Sequence, residues 1–211
     1  MPKTITRRDL LKIATEHQNS NRRRLTRHDC GILSAAGVLA ERFELIDGSI
    51  IEKTEKSVPE DITSHLTFSR MLEIFDVGQA GTGMLLEVRA EDRPLNFPMP
   101  DVFVLYQSLL LFPGEVCGSD TLLVVEVASD TLRVDLLYKA TLYARAGVPE
   151  YWVFDVAGLR LFVYRSPSGN AYDDVRVYEI DERVAPEISP KSEIPIAELM
   201  PFPAKGLQKQ R

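Results

Sequence analysis

Two continuous apolar runs in the middle of the chain are the features that most constrain its fold. They are Val102–Leu105 and residues 122–127, and neither shows the alternation of apolar and polar side chains that is typical of a half-buried strand. Runs of this kind suit strands that are covered on both faces of a sheet. The sequence therefore predicts a central sheet with other structure packed on each side of it.

Helix and strand signals surround these two runs. An Asp47-Gly48 turn between two short apolar segments predicts a hairpin of Phe43–Ile46 with Ser49–Glu52. Apolar spacing and turn residues predict further helices at residues 26–39, 59–77, 132–146 and 196–200, and further strands at residues 84–88, 151–154, 160–164 and 175–180. This order of elements indicates an α/β (mixed α+β) fold, with a central mixed sheet flanked by helices.

Charge divides the chain into a basic start and an acidic remainder. Residues 1–30 hold eight basic side chains against three acidic ones, whereas the other residues hold 17 basic and 28 acidic side chains. We predict a basic, partly disordered extension at residues 1–24, a single domain at residues 25–203 and a polar tail at residues 204–211. A basic arm can attract a phosphate backbone, although a solvated leader is the simpler interpretation.

Composition excludes several classes of protein. With 45% apolar and 27% charged residues, the chain resembles neither a collagen nor a low-complexity sequence. No apolar stretch reaches the ~18 residues that a membrane span needs, so no membrane association is expected. The two cysteines, Cys30 and Cys117, lie far apart, which favours reduced thiols in a cytoplasmic protein over a disulfide or a zinc site.

Two acidic residues fall within or beside the apolar runs. Asp101 follows Pro100 at the entry of the first run, and Glu126 lies near the end of the second. A carboxylate is costly in an apolar strand unless it is paired or binds a metal. Two carboxylates that converge from adjacent strands can hold a hard cation such as Mg²⁺. In the structural alternative, Asp101 caps the strand entry and Glu126 pairs with a lysine.

A second charged pair follows Glu126 along the chain. Asp135 and Lys139 are four residues apart, so they share one face of the predicted helix. From there Lys139 can project over the strand ends toward Asp101 and Glu126. The alternative is an exposed ion pair that contributes only about 0.3–0.5 kcal/mol to stability.

The ordered set of motifs resembles a known family. The chain is similar to the Uma-two family of predicted endonucleases, within the restriction-endonuclease-like PD-(D/E)xK superfamily. The resemblance covers about residues 25–200 and is carried by Phe43-Glu44-Leu45-Ile46-Asp47-Gly48, His65, Pro100-Asp101-Val102, Val125-Glu126-Val127, Asp135, Lys139 and Gly147-Val148-Pro149-Glu150-Tyr151-Trp152-Val153. It implies a restriction-endonuclease-like core with a roughly four-stranded mixed sheet, and metal-dependent phosphodiester hydrolysis at one sheet edge.

The resemblance also implies ligands for a metal ion, either Mg²⁺ or Mn²⁺. Asp101 and Glu126 would be the principal metal ligands. The Val127 carbonyl would be a third ligand, and Glu44 in the hairpin would be an auxiliary ligand or would contact the ligands.

The catalytic lysine departs from the simple superfamily motif. That motif has a lysine two residues after the position of Glu126, where this chain has Ala128. The resemblance implies that Lys139 takes over the role from the helix. Because Asp135 favours the charged form of Lys139, we assign the lysine to stabilising the phosphate rather than to general-base catalysis.

These expectations define three hypotheses. In the first, the protein is a Mg²⁺- or Mn²⁺-dependent endonuclease that acts on DNA. The alternative, which Ala128 and the acidic body leave open, is a catalytically inactive nuclease-fold module that binds DNA or protein. The third is a nuclease that acts on RNA or on flaps and junctions. A homodimer would suit double-strand cutting, but no residue demonstrates one.

Overall fold

The computed structural model describes residues 3–4, 24–53, 56–112 and 114–200. The helices are α1 (Arg27–Ala35), α2 (Val58–Ile74), a π-helix (Val134–Lys139) and α3 (Ala140–Ala146). The strands are β1 (Lys3–Thr4), β2 (Phe43–Ile46), β3 (Ser49–Glu52), β4 (Ala80–Gly81), β5 (Val102–Leu105), β6 (Thr121–Ala128), β7 (Glu150–Asp155), β8 (Arg160–Ser168), β9 (Ala171–Glu179), β10 (Arg183–Val184) and β11 (Ile194–Pro195). Short 3₁₀ turns lie at Arg93–Leu95, Leu109–Leu111, Gly118–Asp120 and Ile196–Glu198.

One mixed sheet organises the fold, with the strand order β1-β9-β8-β7-β6-β5-β4. Strands β6 and β7 are parallel, and the π-helix and α3 form the crossover that such a pair requires. The other neighbouring strands of this sheet are antiparallel. Seven strands take part, so the sheet is larger than the roughly four-stranded core that the family resemblance implied.

Both faces of the sheet are covered, which confirms the prediction from the apolar runs. On one face, Val124 and Tyr151 belong to a core that includes Ala140 and Tyr143 of the crossover. On the other face, Trp152 packs in a core with Met71 of α2 and with residues from the C-terminal part of the described chain. Strands β5, β6 and β7 are buried almost throughout.

The hairpin β2–β3 has the predicted bounds and turn. Asp47 and Gly48 both have positive φ angles, as the tightest hairpin turns require. The hairpin is fixed to the segment that leads into β5, because Leu45 and Phe97 exchange backbone hydrogen bonds. This contact carries the β2 side chains to the edge of the main sheet.

The predicted strand at residues 84–88 is wrong. This segment forms a single isolated bridge, between Glu87 and Cys117. Its backbone hydrogen bonds are divided between two other segments, because the Leu86 N–H donates to the Pro98 carbonyl whereas the Glu87 N–H donates to the Val116 carbonyl. The apolar residues of the segment are buried or partly buried, as those of a strand would be, but the segment forms no continuous ladder of backbone hydrogen bonds with other described residues.

Most of the predicted N-terminal extension and all of the polar tail lie outside the described residues. Within that extension, Lys3–Thr4 pairs with β9 at the edge of the sheet. In the part of the chain that the structure describes, no helix combines the length and the hydropathy needed to cross a membrane.

Candidate functional site

The structure places Asp101 and Glu126 together where β5 begins and β6 ends. Phe103 is paired with Val124 in the antiparallel register, and each carboxylate lies two residues further toward the same edge. Side chains alternate along a strand, so Asp101 and Glu126 share the sheet face that carries α3. The Asp101 Oδ2 atom also accepts a 2.8 Å hydrogen bond from the Val127 backbone N–H, which fixes the carboxylate across the two strands.

Glu44 brings a third carboxylate to this edge from the hairpin. Its Oε1 atom accepts a 2.6 Å hydrogen bond from the Met99 backbone N–H, and its side chain is buried. Its Oε2 atom faces two lysines, at 2.8 Å from Lys139 Nζ and 3.2 Å from Lys53 Nζ. The docking of the hairpin therefore positions Glu44 beside the two carboxylates of the sheet.

Lys139 is enclosed by acidic groups, and its side chain is only 2% exposed. Besides Glu44, its Nζ atom lies 2.9 Å from Glu126 Oε1 and 3.1 Å from Asp135 Oδ1. The exposed ion pair that was the alternative interpretation of Asp135 and Lys139 is therefore not what the structure contains. Tyr143 completes the surroundings by donating a 2.9 Å hydrogen bond to Glu126 Oε1.

Asp135 and Lys139 both lie in the π-helix. Around Asp135 and Lys139 the backbone forms wider turns, and the Ala140 N–H donates to the Asp135 carbonyl, five residues earlier. Such π segments are frequent at functional sites. The predicted regular helix at residues 132–146 is therefore interrupted, whereas its end at Gly147, in the left-handed conformation, agrees with the prediction.

Two further lysines lie on the open side of the carboxylates. Lys53 Nζ is 3.2 Å from Glu44 Oε2, 3.5 Å from Asp101 Oδ1 and 3.8 Å from Glu126 Oε2. Lys56 Nζ lies 2.9 Å from Asp101 Oδ1. One ammonium thus lies among oxygens from three carboxylates, and a second contacts one of them.

Sequence analysis did not identify either of these lysines. The hairpin register contained a signal for Lys53, because Glu44 is paired with Ile51 and Lys53 lies two residues beyond it. Alternation along β3 therefore places Lys53 on the same face as Glu44. No comparable periodicity points to Lys56, whose position depends on the route of the chain between β3 and α2.

Burial and the lysines shift the pKa values of the groups in opposite directions. Burial raises the pKa of Glu126 to about 8, against the attraction of Lys139 and Lys53. Burial also opposes the charge on Lys139, but the surrounding carboxylates prevail and hold its pKa well above the ordinary value. Lys139 is therefore a permanent cation at neutral pH.

Asp101 behaves differently from Glu126. Although burial favours its neutral form, Lys53, Lys56 and Lys139 together lower the pKa of its carboxyl group. In the same way, neighbouring carboxylates raise the pKa of Lys53 in spite of burial and of repulsion from Lys139. Asp101 and Lys53 are therefore both charged at neutral pH.

Other residues named from the sequence have clear positions. The Val127 N–H contacts Asp101 rather than solvent, and the role of the Val127 carbonyl as a ligand stays a prediction. Ala128 is buried in the core, so no side chain from that position reaches the site. Tyr151 and Trp152 are fully buried, which excludes base stacking by either ring in this arrangement.

Two adjoining cavities open at this edge. The smaller, of about 410 Å³, is lined by the carboxylates and by Lys139. The larger, of about 740 Å³, is lined by several cationic or potentially cationic side chains, including Arg42 and His65. Lys53, Lys56 and Asp101 line both cavities and form the boundary between them.

Comparisons with known proteins agree with this architecture. Residues 39–197 match the model of the Uma2 family, whose description is "Putative restriction endonuclease", and the chain belongs to this family. A solved structure from Anabaena variabilis, described as "a putative nuclease belonging to DUF820", has a similar fold. Its TM-score is 0.57 at 18% sequence identity, over 79% of this chain and 96% of that chain. No curated protein matches the chain.

Proposed function

We propose that the protein is a metal-dependent endonuclease that hydrolyses DNA phosphodiester bonds at the edge formed by β5 and β6. One observation carries the proposal: oxygens of Glu44, Asp101 and Glu126 converge on a single positive charge, the Lys53 ammonium. Membership of the Uma2 family supports the nuclease class.

The donor set suits a hard divalent cation. Carboxylate oxygens are the ligands that Mg²⁺ and Mn²⁺ prefer. Among the described residues, no three His, Cys, Asp or Glu side chains already have an arrangement that could hold a metal ion. The carboxylate oxygens instead lie 3.2–3.8 Å from the Lys53 Nζ atom, as in an ion pair. The oxygens are of the type that a divalent cation prefers, and they would move closer together to bind one.

The roles that we propose follow from these contacts. Asp101 and Glu126 would hold the metal ion, with Glu44 as a further ligand. When bound, such an ion neutralises charge on a phosphate and lowers the pKa of a water molecule. Lys139 holds Glu44 and Glu126 in place and supplies a fixed positive charge toward the developing charge on the phosphate.

The larger cavity suits a phosphate backbone. Arg42, Lys56 and His65 line it beside Asp101, and a guanidinium and an ammonium group are suitable partners for phosphate oxygens. Such contacts position a nucleic acid without reading its sequence. They support a nucleic-acid substrate, and the choice of DNA belongs to the proposal.

Cleavage of supercoiled plasmid tests the proposal. The purified protein is incubated with Mg²⁺, Mn²⁺ or EDTA, beside the variants Asp101→Asn and Glu126→Gln. We expect metal-dependent nicking or linearisation, and a loss of roughly 100-fold or more in each variant, because each removes a charged ligand. Glu73→Gln is the matched control, since this exposed carboxylate of α2 pairs with Arg70 outside the site.

Each remaining outcome contradicts part of the proposal. Equal cutting by wild type and Asp101→Asn would indicate a contaminating nuclease and remove the support for this site. If the same preparation cuts labelled RNA or flap substrates in preference to plasmid DNA, the substrate class in the proposal is wrong.

One observation favours a second function, a catalytically inactive nuclease-fold module that binds DNA or protein. The lysines already compensate most of the negative charge of the carboxylates without any metal ion. This function predicts that the wild type is inert with both metals, and that DNA or protein binding is the same in EDTA and in Asp101→Asn.

A further inference from the structure

The lysines at this edge differ in how firmly they are held. Lys139 is 2% exposed, and each of its carboxylate partners is buried. Lys53 is 20% exposed although it contacts three carboxylates, and Lys56 is 29% exposed and contacts only Asp101. Lys53 therefore combines a central position among the acidic groups with a path to solvent.

A divalent ion and the Lys53 ammonium would require the same oxygens. Lys53 Nζ lies 3.2–3.8 Å from one oxygen each of Glu44, Asp101 and Glu126. Bonds from Mg²⁺ to oxygen are about 2.0–2.1 Å long, so these three oxygens must close around the ion. An ammonium between them would then be too close both to the oxygens and to the divalent charge, so the two occupants exclude each other.

Charge within the cluster supports such an exchange. Glu44, Asp101, Glu126 and Asp135 supply four carboxyl groups, and Lys53, Lys56 and Lys139 supply three ammonium groups. If a divalent ion replaces Lys53 while the other two lysines stay, the positive charges balance four ionised carboxylates. If Lys53 also stayed, one positive charge would be in excess.

We infer that Lys53 is the resident cation of the metal-free site, and that a divalent metal ion displaces its ammonium group from the three carboxylates into the larger cavity. The inference rests on the proposed function, because it concerns the same metal site. It assigns Lys53 a positioning role that distinguishes it from Lys139, which stays in place in both states.

The larger cavity is a suitable destination for the displaced group. Lys53 already lines it, together with Arg42, Lys56 and His65. Displacement would move one positive charge from the carboxylates toward the place proposed for the phosphate backbone. Metal binding would thereby strengthen the attraction of this cavity for a polyanion, so the two binding events would be cooperative.

Mn²⁺ binding tests the competition directly. Free Mn²⁺ is measured by electron paramagnetic resonance in titrations of wild type, Lys53→Met and Lys56→Met, without nucleic acid. Both variants lose one positive charge near Asp101, so Lys56→Met measures the general electrostatic effect. We expect Lys53→Met to bind Mn²⁺ on the order of tenfold more tightly than Lys56→Met, because it alone removes the direct competitor.

A second measurement follows the displacement itself. Brief acetylation of lysine amines in the wild-type protein, with and without saturating Mn²⁺, is quantified residue by residue by mass spectrometry. We expect Mn²⁺ to increase the modification of Lys53 several-fold, and to leave Lys139 protected in both states. This readout does not depend on activity or on any variant.

The outcomes separate this inference from the proposed function. If Mn²⁺ binds but leaves Lys53 modification unchanged, and the two variants have equal affinity, the exchange is wrong and the proposed metal site stands. If Mn²⁺ binds neither the wild type nor Lys53→Met, the metal site and the exchange are both wrong. If only Lys53→Met binds Mn²⁺, Lys53 occupies the metal position and excludes the ion, so both the displacement and metal-dependent catalysis by the wild type are wrong.

Discussion

The two sides of the carboxylate cluster use the same charges in different ways. On the inner side, Lys139 is enclosed by Glu44, Glu126 and Asp135 and is almost inaccessible to solvent. On the outer side, Lys53 and Lys56 contact the same cluster from partly exposed positions. The comparison indicates that the inner lysine belongs to the folded framework, whereas each outer lysine keeps a path to solvent.

The difference follows from the elements that carry the lysines. Lys139 extends from the π-helix, which is continuous with α3 and packs on the sheet. Lys53 follows the end of β3, and Lys56 precedes α2, so neither lies within a buried element. A buried lysine and partly exposed lysines can therefore contact the same acidic site, because the buried one comes from a packed helix and the others come from connecting segments.

Replacing the inner lysine should give the largest effect. In Lys139→Met, the buried carboxylates Glu44, Glu126 and Asp135 lose their common partner, and we expect the free energy of unfolding to fall by about 3–5 kcal/mol. Urea denaturation followed by circular dichroism measures this. Lys53→Met is the comparison, with an expected loss of about 1 kcal/mol or less. Equal losses in the two variants would contradict the distinction between the sides.

The Tyr143 hydroxyl should give the next largest effect. Tyr143→Phe removes the hydrogen bond to Glu126 without changing the packing of the ring. At about pH 9, above the Glu126 pKa of about 8, the acceptor is charged, and a hydrogen bond to a charged acceptor contributes about 1.5–3 kcal/mol. Tyr164→Phe is a matched control, because its buried hydroxyl donates to the neutral Leu136 carbonyl and should contribute about 1 kcal/mol.

The same denaturation experiment decides between the two tyrosines. If Tyr143→Phe is no more destabilising than Tyr164→Phe, the Glu126 carboxylate does not depend on the hydroxyl. In that case the inner side is held by Lys139 alone.

The sequence could predict the carboxylates of this site better than the two lysines on its outer side. Asp101 and Glu126 flank or interrupt apolar runs, and a costly carboxylate in such a place is visible without a structure. The Asp47-Gly48 turn specified the hairpin and, through its register, the face of Glu44. These are local signals, since a turn type and a strand period are encoded by adjacent residues.

The rest depends on contacts between distant segments. No pattern of adjacent residues distinguishes the π-helix from a regular helix at residues 132–146. Lys53 can meet carboxylates from β2, β6 and the entry of β5 only if the hairpin docks on the sheet. The Leu45–Phe97 bridge achieves this docking between segments that lie far apart in the sequence. Long-range docking of this kind determines which charges meet.

A third prediction concerns Glu60, which ties α2 to the chain beyond β6 on the outer side. Its carboxylate accepts hydrogen bonds from the backbone and hydroxyl of Ser57 and of Ser129. Partial burial opposes ionisation, but these hydrogen bonds prevail and lower the pKa of Glu60 below its ordinary value of 4.5. We expect Glu60→Gln to destabilise the protein by about 1 kcal/mol at neutral pH, because hydrogen bonds to a charged carboxylate are stronger than those to a neutral amide oxygen.

The pH dependence of this effect has a definite sign. A carboxyl group whose pKa is lowered by folding stabilises the protein above its unfolded pKa, and the contribution is lost as pH falls through the folded pKa. The difference in unfolding free energy between wild type and Glu60→Gln should therefore be full at pH 7 and shrink below about pH 4.5. A difference that is constant down to pH 3 would show that the charge on Glu60 does not contribute.

The smallest expected effect is at Lys56, the most exposed lysine of the cluster. Its single contact with Asp101 should contribute about 0.5 kcal/mol, as partly exposed ion pairs do. Because salt shortens the Debye length from ~30 Å at 0.01 M to ~3 Å at 1 M, the destabilisation in Lys56→Met should nearly vanish at ~1 M NaCl. The loss in Lys139→Met should be almost unchanged by the same salt, since ions do not reach a buried pair. Urea titrations at both salt concentrations measure the two losses, and an equal salt dependence would mean that solvent reaches the inner lysine as freely as the outer one.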